Sequence, residues 1–231
     1  MRYITAIFFI VIVGFSAHSQ TYEIGGFIGG ANYIGDVGKT SYISPNTVVV
    51  GGIFKWNRSE RHAFRFTVKQ ASVKGDDNDS NESRRKERGF SFENSITEFS
   101  LGLEYTFWEF NMYKGQPVST PYLYTGLTYF LYNATRVIPG ETVAKDYEQA
   151  GTVAIPMVVG FKTTVGTKMV LGFEIGARYT FTDDIDGSDP IKGLENNEEL
   201  KFGNLNNNDW YVFTGMTLTF TFGRKPCYCN F

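Results

Sequence analysis

The chain has 231 residues, 16% aromatic residues, a mean hydropathy of −0.21 and a formal net charge of −2. This slightly negative charge argues against a nucleic-acid partner, and the composition fits one β-rich domain in which polar and apolar residues alternate. The sequence contains no repeat of solenoid period and no linker between two globular halves.

The N-terminal segment has the layout of a secretory signal peptide. Arg2 supplies a positive charge, Ile4 to Phe15 form an apolar run too short for a membrane helix, and Ala17-His18-Ser19 resembles a cleavage site. A buried N-terminal helix would need polar positions at helical spacing, and this run has none. We therefore expect residues 1–19 to be removed on export, so that the mature chain begins at Gln20. No later apolar run approaches the roughly 20 residues of a membrane helix.

An alternation of apolar with small or polar residues recurs eight times along the remaining chain, which is the pattern of β-strands. It is clearest from Trp210 to Gly223, where one face is apolar and the other carries Gly and Thr, as suits lipid outside and a crowded interior. An even strand number allows both termini to lie on one side. The sequence therefore predicts an all-β, eight-stranded antiparallel transmembrane barrel of the outer membrane over residues 20–223.

The predicted links between strands alternate in length, as in outer-membrane barrels with short periplasmic turns and long outer loops. With both termini periplasmic, Ser72–Phe92 and Thr182–Asn208 lie outside, and we expect the charged stretches within them, including Asp183 to Glu199, to be solvated. We expect Pro156 to mark a bulge in its strand. The links are Tyr33–Asn46, Asn57–Arg61, Ser72–Phe92, Trp108–Thr120, Asn133–Ala150, Val165–Thr167 and Thr182–Asn208.

The alternation places nine charged side chains inside the predicted barrel, with acids and bases nearly in balance. An eight-stranded barrel is just wide enough to be filled by its own side chains, so we interpret these charges as a salt-bridged structural filling rather than a conducting pore. They are Glu23, Lys55, Arg65, Lys69, Glu98, Glu104, Lys162, Glu174 and Arg178.

The sequence offers little for catalysis. The mature chain contains one histidine, His62, which the strand order places on the periplasmic side, away from the outer leaflet where a lipid-modifying enzyme would act. No metal-ligand spacing occurs, and Asp36 and Asp76 to Asp79 fit a solvated acidic loop better than a cation site. We predict no enzymatic activity, no cofactor and no metal.

The link Trp108–Thr120 is long although it lies on the predicted periplasmic side, and it suggests a docking surface. Trp108, Phe110, Met112 and Tyr113 are aromatic or apolar, and nearby prolines restrict the backbone. An interfacial aromatic belt would explain two of these rings but not the length of the link.

The C-terminal segment, residues 224–231, is predicted to project into the periplasm as a tail. Arg224 and Lys225 lie beside the predicted docking surface. Cys227 and Cys229 form either an internal disulfide or a bond to a partner, since the periplasm is oxidising and the spacing alone leaves both open.

Three segments carry a resemblance to a known family. These are residues 23–36 (EIGGFIGGANYIGD), the stretch from Phe92-Glu93-Asn94-Ser95 to Glu104-Tyr105, and Ile155-Pro156 to Gly160-Phe161-Lys162. The chain resembles the PorG-type outer-membrane barrel component of the type IX secretion system of Bacteroidetes over essentially its whole mature length.

This resemblance implies a non-enzymatic outer-membrane barrel that supports protein transport and, in gliding members, gliding motility. The implied partners are outer-membrane lipid and, on the periplasmic side, a ring made of a lipoprotein and its partner. The family offers no catalytic residues to carry over. Two alternatives from other classes are a small porin-like channel and a lipid-modifying barrel.

Overall fold

The computed structural model describes residues 21–204 and 206–223. Within this part, every strand pairs antiparallel with its neighbours in sequence, and the last strand pairs with the first to close a barrel. The predicted signal peptide and the tail with Arg224, Lys225, Cys227 and Cys229 lie outside the described residues. The strands are β1 (Thr21–Ile34), β2 (Thr47–Asn57), β3 (His62–Asp76), β4 (Ser91–Thr106), β5 (Ser119–Arg136), β6 (Lys145–Val165), β7 (Met169–Thr180) and β8 (Trp210–Gly223).

The eight predicted strands are confirmed. Their links alternate in length except that the link 107–118 is longer than the next one, 137–144. We call the end that carries Thr21 and Gly223 the terminal end; its links are residues 58–61, 107–118 and 166–168. The opposite end is the loop end, with links 35–46, 77–90, 137–144 and 181–209. The three-residue link is possible because Gly166 takes a positive φ of 66°.

The strands β3 to β6 extend further at the loop end than the alternation predicts. The part of the chain predicted as one long loop after Ser72 is strand to Asp76, followed by a 3-10 turn (Asp77–Asp79) and the short helix α1 (Ser83–Arg88). Another 3-10 turn, Glu198–Leu200, lies in the longest link. Among the described residues, no helix is long and apolar enough to cross a membrane.

The outer wall carries a belt of large apolar side chains that the alternation assigns to one face of each strand. Leu101, Leu127 and Val159 are more than half exposed, and each has at least one buried inward neighbour. Aromatic rings border the belt on both sides, as they do where barrel walls meet membrane interfaces. At the terminal end these are Tyr22, Trp56, Phe64, Tyr105, Phe107 and Phe222, and at the loop end Tyr129, Tyr179, Phe181 and Trp210.

The barrel interior divides into two halves of different chemistry. The half towards the terminal end holds the nine predicted charged residues, each 3% exposed or less. The half towards the loop end is an apolar and aromatic core formed by Tyr33, Phe92, Ile96, Phe130, Tyr132, Tyr211 and Phe213, with Ile185 from the longest link. Lys69 and Arg178 meet this core at the ring of Phe213, at 5.5 and 4.3 Å.

Inward-facing glycines allow the strands to approach closely. A Cβ on Gly102 of β4 would lie 2.1 Å from the carbonyl oxygen of Thr125 on β5, so no larger residue fits there without a shift of the wall. The small residues that alternate with apolar ones in the sequence are thus required by crowding inside the barrel.

Three predictions are wrong. Asp36 and Asp77, expected in solvated acidic loops, are buried, because Asp36 accepts from the N–H of Asn204 and Asp77 pairs with Arg88. Pro156 pairs with Arg178, and the register of the β6–β7 ladder is unbroken there. The missing N–H of proline removes one hydrogen bond but does not insert an extra residue. The register shift in β5 and β6 lies instead between Ala134 and Thr135. Residues 184–188, expected to be solvated, are fully buried in the loop-end mouth because the carboxylates of Asp184 and Asp186 accept hydrogen bonds there.

Candidate functional site

The charged half of the interior, which we call the ion-pair layer, centres on Glu174. Its carboxylate accepts two hydrogen bonds from the guanidinium of Arg65, at 2.7 and 2.9 Å, one from Lys69 Nζ at 3.2 Å and one from the hydroxyl of Tyr122 at 2.8 Å. The fork of Arg65 matches the two carboxylate oxygens, which is the strongest geometry for such a pair. A buried carboxylate with four donors is held firmly in place.

The other acids of the ion-pair layer are paired as well. Glu104 contacts Lys55 Nζ at 2.8 Å and Lys162 Nζ at 2.7 Å, and Glu98 accepts from Arg178 Nε at 2.9 Å. Glu23 accepts instead from Asn57 Nδ2 at 2.9 Å and the hydroxyl of Thr219 at 2.6 Å. The predicted pairing of the interior charges is therefore confirmed for every acid except Glu23, and the layer crosses the barrel from wall to wall.

The terminal end is closed by the 107–118 segment, which we call the terminal link. Phe110 is 5% exposed and its ring lies 4.5 Å from Lys162 Nζ, so it covers the side of the ion-pair layer that faces the terminal end. The backbone N–H of Phe110 donates to Glu60 O at 2.9 Å, and Asn111 Nδ2 donates to the Glu60 carboxylate at 2.7 Å. The terminal link is thus pinned to the neighbouring 58–61 turn.

The residues predicted for partner docking occupy different positions in the terminal link. Trp108 is 59% exposed, Met112 and Tyr113 are half-buried, and Phe110 faces the interior. The Tyr113 hydroxyl lies 3.3 Å from Thr21 Oγ1, which ties the link to the first strand. Trp108, Met112 and part of Tyr113 therefore lie at the surface of the terminal link. The buried side chain of Phe110 fixes the backbone that carries them.

The loop end is closed by residues 183–188, which we call the plug. Ile185 is fully buried at its centre, and its carbonyl accepts from Asn94 Nδ2 at 2.9 Å and from Thr135 Oγ1 at 3.1 Å. The same Asn94 side chain donates to Asn133 O at 2.6 Å and accepts from Asn133 N at 3.0 Å, where β4 and β5 have ceased to pair. Asn94 thus bridges the two strands and holds the plug between them.

The plug gathers carboxyl groups with no base beside them. Burial raises the pKa of Asp209 well above its ordinary value, with Asp186 adding to the effect, and raises the pKa of Asp184. Burial, then the negative charges of Asp186 and Asp36, raise the pKa of Asp183 to about 8. Nothing in the alternation pattern indicates this group, because its acids belong to a link.

Other candidate residues from the sequence have structural roles. Ser59 Oγ lies 3.2 Å from His62 Nδ1, but it accepts from the N–H groups of Arg61 and His62 and so caps an exposed turn. Asp76 caps the 3-10 turn, and Asp77 pairs with Arg88 at 2.8 Å. Within residues 21–204 and 206–223, no group of three or more acids, histidines or cysteines is arranged to hold a metal ion.

A closed eight-stranded barrel with an apolar wall and a filled interior defines the class of small β-barrel proteins. The chain belongs to the family described as "Domain of unknown function (DUF6089)", which matches residues 1–231. No curated protein matches the sequence.

Among solved structures, the chain is similar to several small barrels at low identity. Ail, the attachment invasion locus protein of Yersinia pestis, is 9% identical at a TM-score of 0.46, with 88% of this chain and 99% of Ail covered. Neisserial surface protein A is 10% identical at 0.45, covering 89% and 96%. A major outer membrane protein from Thermus thermophilus is 12% identical at 0.46, covering 89% and 100%. These low TM-scores support no inference about this chain. Its barrel architecture follows from its own strand pairing.

Proposed function

We propose that this protein is an outer-membrane barrel whose wall is immersed in lipid. The observation in favour is the continuous belt of exposed Leu, Ile, Val, Met and Phe side chains, which far exceeds the apolar patches tolerated on water-soluble monomers. The shortest strand, β2, has 11 residues, enough to cross a membrane when tilted by about 45°. A closed barrel also leaves no unpaired strand edge within the lipid.

We propose further that the barrel acts as a non-enzymatic structural component rather than a channel. The ion-pair layer fills the interior and Phe110 lies below it, so the polar groups that would line a pore are used on one another. In planar bilayers we expect no stepwise conductance. Discrete steps that vanish when Glu174 is changed would favour the porin-like alternative instead.

The partner that we propose is the periplasmic lipoprotein ring of the type IX secretion machinery. The resemblance in residues 23–36 suggests the machinery. The single observation that supports a docking surface for the ring is the terminal link. This link presents exposed Trp108 beside Met112 on a backbone fixed through Phe110 and Glu60. Rigid aromatic residues are the usual energetic centres of protein interfaces.

Association with the ring tests this proposal. The double variant Trp108→Ala/Met112→Ala should weaken co-purification of ring proteins roughly 30-fold, which corresponds to about 2 kcal/mol. Phe107→Ala is the matched control, because this ring is also exposed in the same link but contacts Tyr105 on the outer wall. Equal loss in both variants, or no loss in either while the barrel is folded and abundant, contradicts the proposed surface.

The orientation of the barrel is tested separately. We propose that the terminal end faces the periplasm, so cysteines at exposed Asn81 and Asn197 should be labelled from outside intact cells, whereas one at exposed Lys114 should not. Cys227 and Cys229 are replaced by Ser in all three variants. Labelling of position 114 alone would invert the orientation and remove the terminal link from the periplasm.

A further inference from the structure

The plug and Asp209 together bring four carboxyl groups into the loop-end mouth without a basic side chain among them. Three belong to Asp183, Asp184 and Asp186, and the fourth to Asp209, which immediately precedes β8. All four lie in or at the mouth of a barrel whose other end is closed by Phe110. Neighbouring like charges oppose one another strongly when they are removed from water.

The basic residues near the plug are engaged elsewhere. Arg136, whose backbone lies against Gly187, places its guanidinium over the ring of Tyr147 at 5.6 Å. Arg88 pairs with Asp77 at 2.8 Å and donates to the backbone oxygen of Asp36 at 2.7 Å. Arg85 donates to the carbonyl oxygens of Gly35 and Gly38. Lys201 pairs with Asp189 at 3.3 Å.

Three of the four carboxyl groups have their own hydrogen-bond donors. Asp186 accepts from three backbone N–H groups, those of Asp36 and Val37 at 3.1 and 3.0 Å and of Ser188 at 3.0 Å. Asp209 accepts from the hydroxyl of Tyr33 and from the N–H of Ile185 at 3.0 Å, and Asp184 accepts from Tyr132 at 2.6 Å and from Thr182. These donors offset part of the cost of charge on the three groups, although burial still raises the pKa of Asp209 and of Asp184.

Asp183 has no such compensation. Both of its carboxyl oxygens are buried and have no hydrogen-bond partner among the described residues, and its negative neighbours are Asp36, Asp184, Asp186 and Asp189. From the packed elements, the phenols of Tyr33 and Tyr132 reach Asp209 and Asp184 but not Asp183. An ionised Asp183 in this place is therefore costly, whereas a neutral one is tolerated.

We propose that the plug is a pH-sensitive latch, closed when Asp183 is neutral and released when Asp183 is ionised. Release frees the mouth above the apolar half of the interior. The ion-pair layer and Phe110 stay in place, so the opened state is a pocket accessible from the loop end and not a channel through the barrel.

The direction of the pH dependence follows from the pKa of Asp183, which is about 8 in the closed state against an ordinary value near 4 in the open state. Between pH about 4 and about 8, Asp183 is protonated in the closed state and ionised in the open state. The free-energy preference for the closed state is therefore complete below pH about 4 and is lost as the pH rises towards about 8. The open fraction grows by at most tenfold per pH unit in this window and levels off above it.

Amide hydrogen exchange on the full-length barrel in lipid nanodiscs tests the latch. The reporters are the N–H groups of Ile185, Asp36 and Val37, which are bonded to plug carboxylates. After correction for intrinsic exchange, their protection should fall at least tenfold from pH 6 to pH 8 and change little from pH 8.5 to 9.5. Ladder amides of β4 and β5 serve as the internal reference.

The decisive variant is Asp183→Asn, which removes the charge without removing any side-chain hydrogen bond. Its plug protection should fall much less from pH 6 to pH 8 than that of the native chain. The matched control is Asp146→Asn on the exposed β6 end, whose carboxylate accepts from Asn133 Nδ2 at 2.7 Å; this variant should keep the native pH dependence. An equal pH slope in native and Asp183→Asn chains, or no slope in the native chain, overturns the latch. Addition of magnesium or calcium that restores protection at pH 9 overturns it as well, since a cation and not a proton would then close the plug.

Discussion

The two halves of the barrel interior solve the same packing problem with opposite chemistry. In the ion-pair layer, Glu174, Glu104 and Glu98 pair with bases from other strands, and Glu23 accepts hydrogen bonds from neutral donors. In the half towards the loop end, apolar and aromatic side chains fill the space, and the plug adds carboxyl groups that pair with no base and, except for Asp183, accept hydrogen bonds. Ion pairs hold the first half together, whereas the second half depends on the protonation of its carboxyl groups.

This difference also separates what is permanent from what can move. The ion-pair layer is built from strands that are paired on both sides, while the plug is a link held by side chains such as Asn94 and Asp186. Segments of low local stability are the ones that open in proteins, because few interactions have to break. We therefore expect changes in the charged half to affect global unfolding and changes in the plug to affect local opening.

The largest expected effect comes from breaking the ion-pair layer. Glu174→Gln leaves Arg65 and Lys69 without their carboxylate in a buried place, and it should lower the free energy of unfolding by about 3–5 kcal/mol. Urea titration of the barrel in lipid vesicles measures it. Glu141→Gln, which removes an exposed pair with Lys145, is the control and should cost about 0–1 kcal/mol. Similar costs for both variants would mean that the layer does not hold the barrel together.

Much of the charged half can be predicted from the sequence, because the alternation of a strand determines which side chains point inward. Each of the nine charges, from Glu23 to Arg178, is assigned to the interior by position alone and is buried. The pairing itself requires strand register, which the pattern does not give. Lys162 and Glu104, for example, lie 58 residues apart and on strands that do not pair with one another.

The half of the interior towards the loop end is predicted poorly from the sequence, for a physical reason. An acidic stretch such as residues 183–189 has the composition of a solvated loop, and only the hydrogen-bond donors of distant residues, such as Tyr132 and the N–H of Val37, make its burial possible. Asn94 has the position of an ordinary polar strand residue in the sequence. Its role becomes visible only where β4 and β5 separate.

A second prediction concerns the wall around both halves. Leu127 is 59% exposed, midway along the apolar face of β5, and Leu127→Arg should cost about 2–4 kcal/mol if lipid surrounds the belt. Leu171 lies only three residues from the 166–168 link, so Leu171→Arg should cost less, about 0–1 kcal/mol near the interface. The heat-modifiable mobility of the folded barrel on gels reports both. Equal costs would mean that the belt is not centred where we place it.

A third prediction separates local from global stability. Asn94→Leu removes the bridge among β4, β5 and the plug and should cost about 1–3 kcal/mol, confined to loop-end amides in hydrogen exchange. Asn133→Ala is the control, because its side chain makes only an exposed hydrogen bond to Asp146. Loss of protection in the ladders of the ion-pair layer would show that the two halves unfold as one unit.

The smallest effect is expected from the outer part of the longest link. Residues 193–196 carry few buried groups, and replacing them by one Gly should change the free energy of unfolding by less than about 0.5 kcal/mol, because loop closure depends only weakly on length. A longer deletion, 186–196, also removes Asp186 and Ser188, and with them the acceptor for the N–H groups of Asp36 and Val37. That chain should retain the ion-pair layer and a urea midpoint close to that of the native barrel. It should lose hydrogen-exchange protection at the N–H of Ile185. Equal behaviour of the two deletions would place the plug among the dispensable loops and remove the distinction between the two halves.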